Sequence, residues 1–378
     1  MKVLLAGGGT AGHINPALAI AGYIKGKEPD TEFLFIGNRD GMEQRLVKQA
    51  GFPIESVVIT GFKRSLSPKN TVHNFKTVYY SFESRSKAKR IIKEFDPDIC
   101  IGTGGYVSGP VILAACNLGY KAIIHEQNAY PGVTNKMLAK SVDRVMLANE
   151  DAKSRFTDKA KFVLTGNPIR PSILSTKHDE AKKRLGLDDS KPVILSFGGS
   201  LGAECINRSM AELIARSAKD KKYYHIHAYG QQGTWMPELL QKKGVDTKNC
   251  DNLDVRQYID NMNDCLAACD LVVSRAGAIT LSEIQAKGRP AVLIPSPFVA
   301  ENHQYHNAMS MVNKKAAKLI EQADLSGELL IETVDSMLTD QSVLAEYRRN
   351  AQKMAITDAN ERIYQTVKEV LSENGKNR

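Results

Sequence analysis

Short apolar runs alternate along this chain with longer segments in which apolar residues return at helical spacing. In the first half the runs are Val3 to Ala6, Phe33 to Ile36, Ile99 to Ile101, Ala122 to His125 and Arg144 to Leu147. That rhythm predicts an α/β fold built on a doubly wound parallel sheet. The second half repeats it with Val193 to Phe197, Tyr224 to Tyr229, Leu271 to Ser274 and Ala291 to Ile294. Gly166-Asn167-Pro168-Ile169-Arg170-Pro171 is dense in turn formers and precedes a polar helix from Asp179, which marks a linker. The expected domains are residues 1–165 and 166–345. A closing helical stretch from about Val343 to Leu371 has no strand after it, and residues 346–378 can pack on either domain, including back on the first.

A glycine turn occurs once in each half, each time between a strand and a helix. The first is Gly7-Gly8-Gly9-Thr10-Ala11-Gly12-His13 and the second Gly198-Gly199-Ser200-Leu201-Gly202-Ala203. Such turns bring backbone N–H groups and the positive end of a helix against a phosphate. Two of them suggest a ligand held in a cleft that the two domains face. Gly7-x-Gly9-x-x-Gly12 also matches the dinucleotide fingerprint, which expects an acidic residue at the end of the second strand. Here that strand runs into Gly37-Asn38-Arg39, so the acid is missing, although Arg39 keeps an NADP reading open.

At 378 residues, 42% hydrophobic and 25% charged, the chain has the size and composition of two soluble domains. No apolar run approaches the roughly 18 residues needed to span a bilayer. The N-terminus has no apolar h-region or small-residue cleavage site, so a cytoplasmic chain is expected. The six cysteines form no CxxC pair and read as reduced. The net charge of +9 lies entirely in the first half: residues 1–170 hold 24 Lys and Arg against 15 Asp and Glu, and the remainder 27 against 27. Residues 62–93 alone carry nine basic side chains, from Lys63 to Lys93, with the single acid Glu83 and the aromatics Phe62, Phe75, Tyr79, Tyr80 and Phe82. A solvated helix face, an RNA-binding surface and an anionic-membrane surface are the readings of that stretch, and no nucleic-acid motif supports the second.

Three further motifs carry chemistry. Gly102-Thr103-Gly104-Gly105-Tyr106-Val107-Ser108-Gly109-Pro110 follows a strand and reads as a loop open to a bulky phosphorylated group. Ser274-Arg275-Ala276-Gly277-Ala278-Ile279-Thr280-Leu281-Ser282-Glu283 follows another strand, and its small residues admit a diphosphate at a helix N-terminus. Glu283 there either accepts ribose hydroxyls or closes a capping box with Thr280. His13 follows the first turn and reads either as a base near neutral pH or as a partner that positions a loop. Asp96-Pro97-Asp98 has a DxD pattern, but it precedes its strand and so reads as a turn away from the ligand edge, with no metal required.

Together these segments, with His125-Glu126-Gln127-Asn128 and Gly166-Asn167-Pro168, resemble the GT-B glycosyltransferases. Within them they resemble the lipid II-forming N-acetylglucosaminyltransferase family of bacterial peptidoglycan synthesis. The resemblance implies two Rossmann-like domains and a hexosyltransferase. It would move GlcNAc from UDP-GlcNAc, with inversion and release of UDP, to the C4 hydroxyl of MurNAc in undecaprenyl-pyrophosphoryl-MurNAc-pentapeptide (lipid I). No metal or other cofactor is implied. Helix N-termini and backbone amides can take the charge of a leaving diphosphate in place of a cation.

Carried over by motif, the donor site comprises Thr10, Ala11, Gly12, Asn128, Arg170, Ser200, Ile259 beside the uracil, Ala278, Ile279, Thr280, Leu281, Ser282, Glu283 and Gln304. Gly104, Gly105, Tyr106 and Ser108 form the acceptor loop. His13 is the leading base, with Glu126 as a second base or an orienting partner. Ala11 stands where glycine is frequent, and His303 beside Gln304 where some relatives carry paired glutamines. The lipid acceptor gives the basic first half a purpose, resting on the anionic inner leaflet at the cytoplasmic face of the cell membrane, and the resemblance implies a cell-wall synthesis complex as a further partner. A GT-B transferase with another acceptor and a non-catalytic nucleotide-sugar-binding protein remain the alternatives.

Overall fold

The computed structural model describes residues 1–59, 84–156, 160–188 and 190–373. Its chain divides into one compact unit of Met1–Pro168 plus the stretch from Asp358 onward, and a second of Ile169–Thr357.

The first unit begins β1 (Lys2–Gly7), α1 (Ala11–Lys27), β2 (Glu32–Asn38), α2 (Glu43–Gln49) and β3 (Ile54–Val57). After a helix α3 over residues 84–95 come β4 (Ile99–Gly104), α4 (Gly105–Asn117) and β5 (Lys121–Glu126). Then follow α5 (Val133–Leu138), β6 (Arg144–Leu147) and β7 (Phe162–Leu164). Among the described residues its seven strands all pair in parallel, in the order β3-β2-β1-β4-β5-β6-β7.

The second unit opens with α6 (Pro171–Ser175), α7 (His178–Leu185), β8 (Val193–Phe197), α8 (Glu204–Asp220) and β9 (Tyr224–Ala228). Next are α9 (Met236–Lys242), β10 (Leu253–Arg256), α10 (Met262–Ala268), β11 (Leu271–Ser274) and α11 (Ala278–Ala286). It closes with β12 (Ala291–Leu293), α12 (His303–Val312), β13 (Ala317–Leu319), α13 (Gly327–Thr339) and α14 (Gln341–Met354). Its six parallel strands run β10-β9-β8-β11-β12-β13.

The middle strands are apolar throughout because helices cover both faces of each sheet. In the first, Leu4, Ala6, Cys100 and Ile124 face one layer, while Val3, Leu5, Ile101 and Ile123 face the other. Burying one such leucine or isoleucine contributes about 1.5–3 kcal/mol, so the central strands anchor each unit. On α8, Ile206, Met210, Leu213 and Ile214 recur at helical spacing and are buried, while Glu204 and Arg208 pair on the exposed side.

The closing helical stretch holds two helices. Ala355 leaves α14 in an extended conformation, and the chain re-enters a helix, α15 (Ala359–Ser372). Leu344 and Ala351 of α14 are buried in the second unit. Ile363, Val367 and Val370 of α15 instead pack with Ile14, Ile20 and Ile24 of α1 in the first. Polar pairs flank that seam: Tyr23 donates to Glu361 at 2.6 Å and Tyr364 to Glu28 at 2.7 Å.

Of the basic stretch, Phe62, Lys63, Arg64, Lys69, Phe75, Lys76, Tyr79, Tyr80, Phe82 and Glu83 lie outside the described residues. Arg85, Lys87, Lys89, Arg90 and Lys93 fall on α3. Asp96 and Asp98 lie at the N-terminal edge of the sheet, where Asp98 accepts from the Lys2 amide at 2.7 Å and Asp96 from the Tyr120 hydroxyl at 2.8 Å. All six cysteines are free.

Candidate active site

In open α/β sheets ligands bind beyond the carboxyl ends of the strands. In the first unit the ends of β1, β4 and β5 gather Thr10, Ala11, Gly12, His13, Gly104, Gly105, Tyr106, Glu126 and Asn128. Thr10 is the extended N-cap of α1, and its side chain caps nothing. His13, one turn in, points its Nδ1 at the Thr103 carbonyl (3.1 Å) and at Gln127 Oε1 (3.2 Å). The Thr103 hydroxyl returns a bond to the His13 carbonyl at 2.7 Å, tying the end of β4 to the start of α1.

The glycine-rich segment expected to be a loop is not one. Its first residues finish β4 and the rest opens α4 at Gly105. Gly105 has φ +79°, and a Cβ there would collide with the Gly8 carbonyl oxygen, so the close approach of the two turns requires glycine. Tyr106 is partly exposed beside Gly9, and burial raises its hydroxyl pKa. Ser108 is buried next to Gly102 rather than lining a loop.

Glu126 is buried and organises the turn that follows β5. Its Oε1 accepts from the Asn128 amide (2.9 Å) and side chain (3.1 Å), and its Oε2 from Gly132 N (3.0 Å) and Asn135 Nδ2 (2.8 Å). Four donors occupy both oxygens, which suits an orienting carboxylate better than a base.

Glu43 escaped the sequence reading. It is fully buried, and its two oxygens accept from Gly9 N (3.3 Å) and Asn38 N (2.8 Å). The acid missing at the end of β2 is thus present five residues on, inside the glycine turn, where it takes a backbone amide a dinucleotide phosphate would need. The sequence offered two acids after the strand, Asp40 and Glu43, with nothing to single out the one that opens α2. Gln127 meets His13 directly and His125 meets Gln127, and nothing in the motif His125-Glu126-Gln127-Asn128 signals either contact.

In the second unit the ends of β8 and β11 present the other set. Gly199 and Ser200 are exposed, and Gly199 has φ +93° with open space where a Cβ would lie. The capping box does not form. Gly277, not Thr280, is the N-cap of α11, and no side chain caps it. Glu283 is buried and its Oε1 meets both Arg170 Nε and Nη2 at 3.1 Å. Burial pushes the Glu283 carboxyl above the usual range, against the pull of Arg170.

Ala278, Ile279, Thr280 and Ser282 remain partly exposed on the first turns of α11, with Ser282 Oγ bonded to the Ala278 carbonyl at 3.1 Å. Leu281 and Ile259 are buried in the core. Gln304 Oε1 accepts from Ser296 N at 2.9 Å, fixing the loop after β12. Arg275 braces the same region, donating to the Ile294 and Pro295 carbonyls (both 3.1 Å) and to Gln322 Oε1 (2.7 Å). Among the described residues no group of three or more His, Cys, Asp or Glu could hold a metal ion.

Residues 3–147 match the glycosyltransferase family 28 N-terminal domain and residues 193–363 the family 28 C-terminal domain. The chain is 46% identical to the UDP-N-acetylglucosamine--N-acetylmuramyl-(pentapeptide) pyrophosphoryl-undecaprenol N-acetylglucosamine transferase of Acetivibrio thermocellus, over 98% of each chain. It is 42% identical to the protein of the same name from Bacillus cytotoxicus, over 98% of this chain and all of that one. Its fold is similar to the crystal structure of Acinetobacter baumannii MurG, with a TM-score of 0.79 at 28% identity over 97% of this chain and 99% of that one.

Proposed function

This chain belongs to glycosyltransferase family 28, and from that premise we propose that it forms lipid II. It transfers GlcNAc from UDP-GlcNAc to the C4 hydroxyl of MurNAc in undecaprenyl-pyrophosphoryl-MurNAc-pentapeptide. The observation that carries this reading is the 46% identity to such a transferase along 98% of both chains. In the reaction the acceptor oxygen bonds to the anomeric carbon with inversion, the glycosyl–phosphate C–O bond breaks, and its electron pair leaves on UDP. His13 Nε2 takes the acceptor proton.

The first turns of α11 and the open Gly199-Ser200 turn offer amides and the positive end of a helix dipole to the diphosphate, which supports charge stabilisation without a metal. Glu283 accepts from the ribose hydroxyls through Oε2, since both Arg170 bonds go to Oε1. Tyr106 and the start of α4 face the acceptor.

No helix among the described residues is long and apolar enough to cross a membrane. The lipid acceptor is reached instead from the cytoplasmic face, where the basic first half, including α3, rests on anionic headgroups. Purified protein given UDP-GlcNAc should release UDP only when a short-chain lipid I analogue is added, and EDTA should not stop it. Binding of UDP-GlcNAc with no acceptor-dependent release would overturn the proposal.

A further inference from the structure

We propose that Gln127 and His125 are positioning residues that hold His13 as its Nδ1–H tautomer, leaving the basic lone pair on Nε2. The catalytic consequence rests on the transferase reading above. The tautomer itself does not.

The Gly166 carbonyl can only accept, and it lies 2.9 Å from His125 Nε2, so that nitrogen carries a proton. His125 is completely buried, and burial lowers its pKa and keeps the ring neutral. With one proton, on Nε2, its Nδ1 must accept. The atom facing it, at 3.0 Å, is Gln127 Nε2, which also donates to the His125 carbonyl at 2.9 Å. Two acceptors around that atom fix the amide orientation and turn Oε1 the other way.

Oε1 then lies 3.2 Å from His13 Nδ1, and the Thr103 carbonyl lies 3.1 Å from the same nitrogen. Both are acceptors, so Nδ1 bears the proton, and neutral His13 presents its lone pair at Nε2. The frame is itself held, because Asn167 Nδ2 donates to the Gln127 carbonyl at 3.1 Å and Asn135 Nδ2 to the His125 carbonyl at 3.2 Å. A polar chain of one direction therefore runs from Gly166 to the base. It is assembled from residues 13, 125, 127 and 166.

The test is ¹⁵N NMR of histidine-labelled full-length protein without substrates, together with steady-state kinetics of Gln127→Met. In the wild type His13 should show protonated Nδ1 and bare Nε2. In Q127M, similar in length but unable to accept, the spectrum should show mixed tautomers, with kcat down about 10- to 100-fold and both KM values unchanged.

A wild-type spectrum with the proton on His13 Nε2 would overturn the proposal, whether or not any variant folds. So would Q127M with an unchanged tautomer and full kcat, which would leave Thr103 sufficient alone. The expected spectra in a protein that turns over no lipid I analogue would support the tautomer and strike the transferase reading instead.

Discussion

The two glycine turns look alike in sequence and differ in what meets their glycines. Around the first, the protein fills the space itself: Glu43 takes the Gly9 amide, Tyr106 lies against Gly9, and the Gly8 carbonyl packs on Gly105. The second is open at Gly199, which faces empty space, while Gly198 and Gly202 pack on the Ala203 amide and the Tyr229 carbonyl; among the described residues no side chain accepts a bond from residues 198–201. A buried carboxylate in an anion seat repels a second anion, whereas an unfilled turn at a helix start attracts one. The same strand-glycine-helix signal thus leads to a turn whose third glycine is held by a buried carboxylate in one unit and to a turn open at Gly199 in the other.

The sharpest break of that contrast is a methyl group set against the first turn and another placed on the second. Gly105→Ala places a Cβ on a backbone oxygen at φ +79° and should cost more than about 3 kcal/mol, lost as a large fall in denaturation midpoint. Gly199→Ala, with φ +93° but no neighbour, should cost only about 1–2 kcal/mol. Equal losses would mean the two turns are packed alike.

Acid separates the units next. His125 of the first has partners on both ring nitrogens. In the second, buried His225 has none among the described residues, and His227 Nε2 none beyond the Ser196 bond on Nδ1. Burial pulls His225 down to about 3 and His227 to about 4 from an ordinary 6.5. Below pH 6.5 the unfolded chain takes up protons that the folded chain refuses. This part of the stability is therefore present above 6.5 and falls, by a few kcal/mol in all, as pH drops towards 4 and 3. Hydrogen exchange as a function of pH should show β8 and β9 opening before β1 and β4. The reverse order would count against it.

Glu43→Gln is a smaller probe. Both oxygens of Glu43 accept from backbone amides, so the variant must set an NH₂ group against an N–H. A loss of about 1–3 kcal/mol is expected, read as a lower thermal midpoint. Smallest in stability is Glu283→Gln. Its partner Arg170 is 57% exposed, so losing the ion pair should cost at most about 1 kcal/mol. Titration calorimetry should nonetheless show UDP-GlcNAc binding about tenfold more weakly, roughly 1.4 kcal/mol. Unchanged affinity would move the ribose elsewhere.

The interior of both sheets was legible in the apolar runs, and the four strands that were not legible are the four sheet edges. Ile54–Val57, Phe162–Leu164, Leu253–Arg256 and Ala317–Leu319 sit at the ends of the two strand orders. An edge strand is short and has a neighbour on one side only, so Glu55, Asp254, Arg256 and Lys318 interrupt the apolar run in three of them, while Phe162–Leu164 is apolar but only three residues long. The closing stretch left its packing open for a related reason. Helical periodicity runs through Val343 to Leu371, but it does not say that α14 and α15 bury their apolar faces in different cores.

Of the site, sequence alone determined which turns lie at strand ends and which residue types they carry, because strand-glycine-helix order is local. It could not determine which oxygen, nitrogen or carboxylate would meet them. Glu43 reaches Gly9 across 34 positions, Thr103 meets His13 across 90, and Gln127 meets it across 114. Arg170 and Glu283 pair across 113. Hydrophobic periodicity fixes which face of an element is buried, but a hydrogen bond depends on where two elements end within a few tenths of an ångström. Only the order of strands across each sheet sets that.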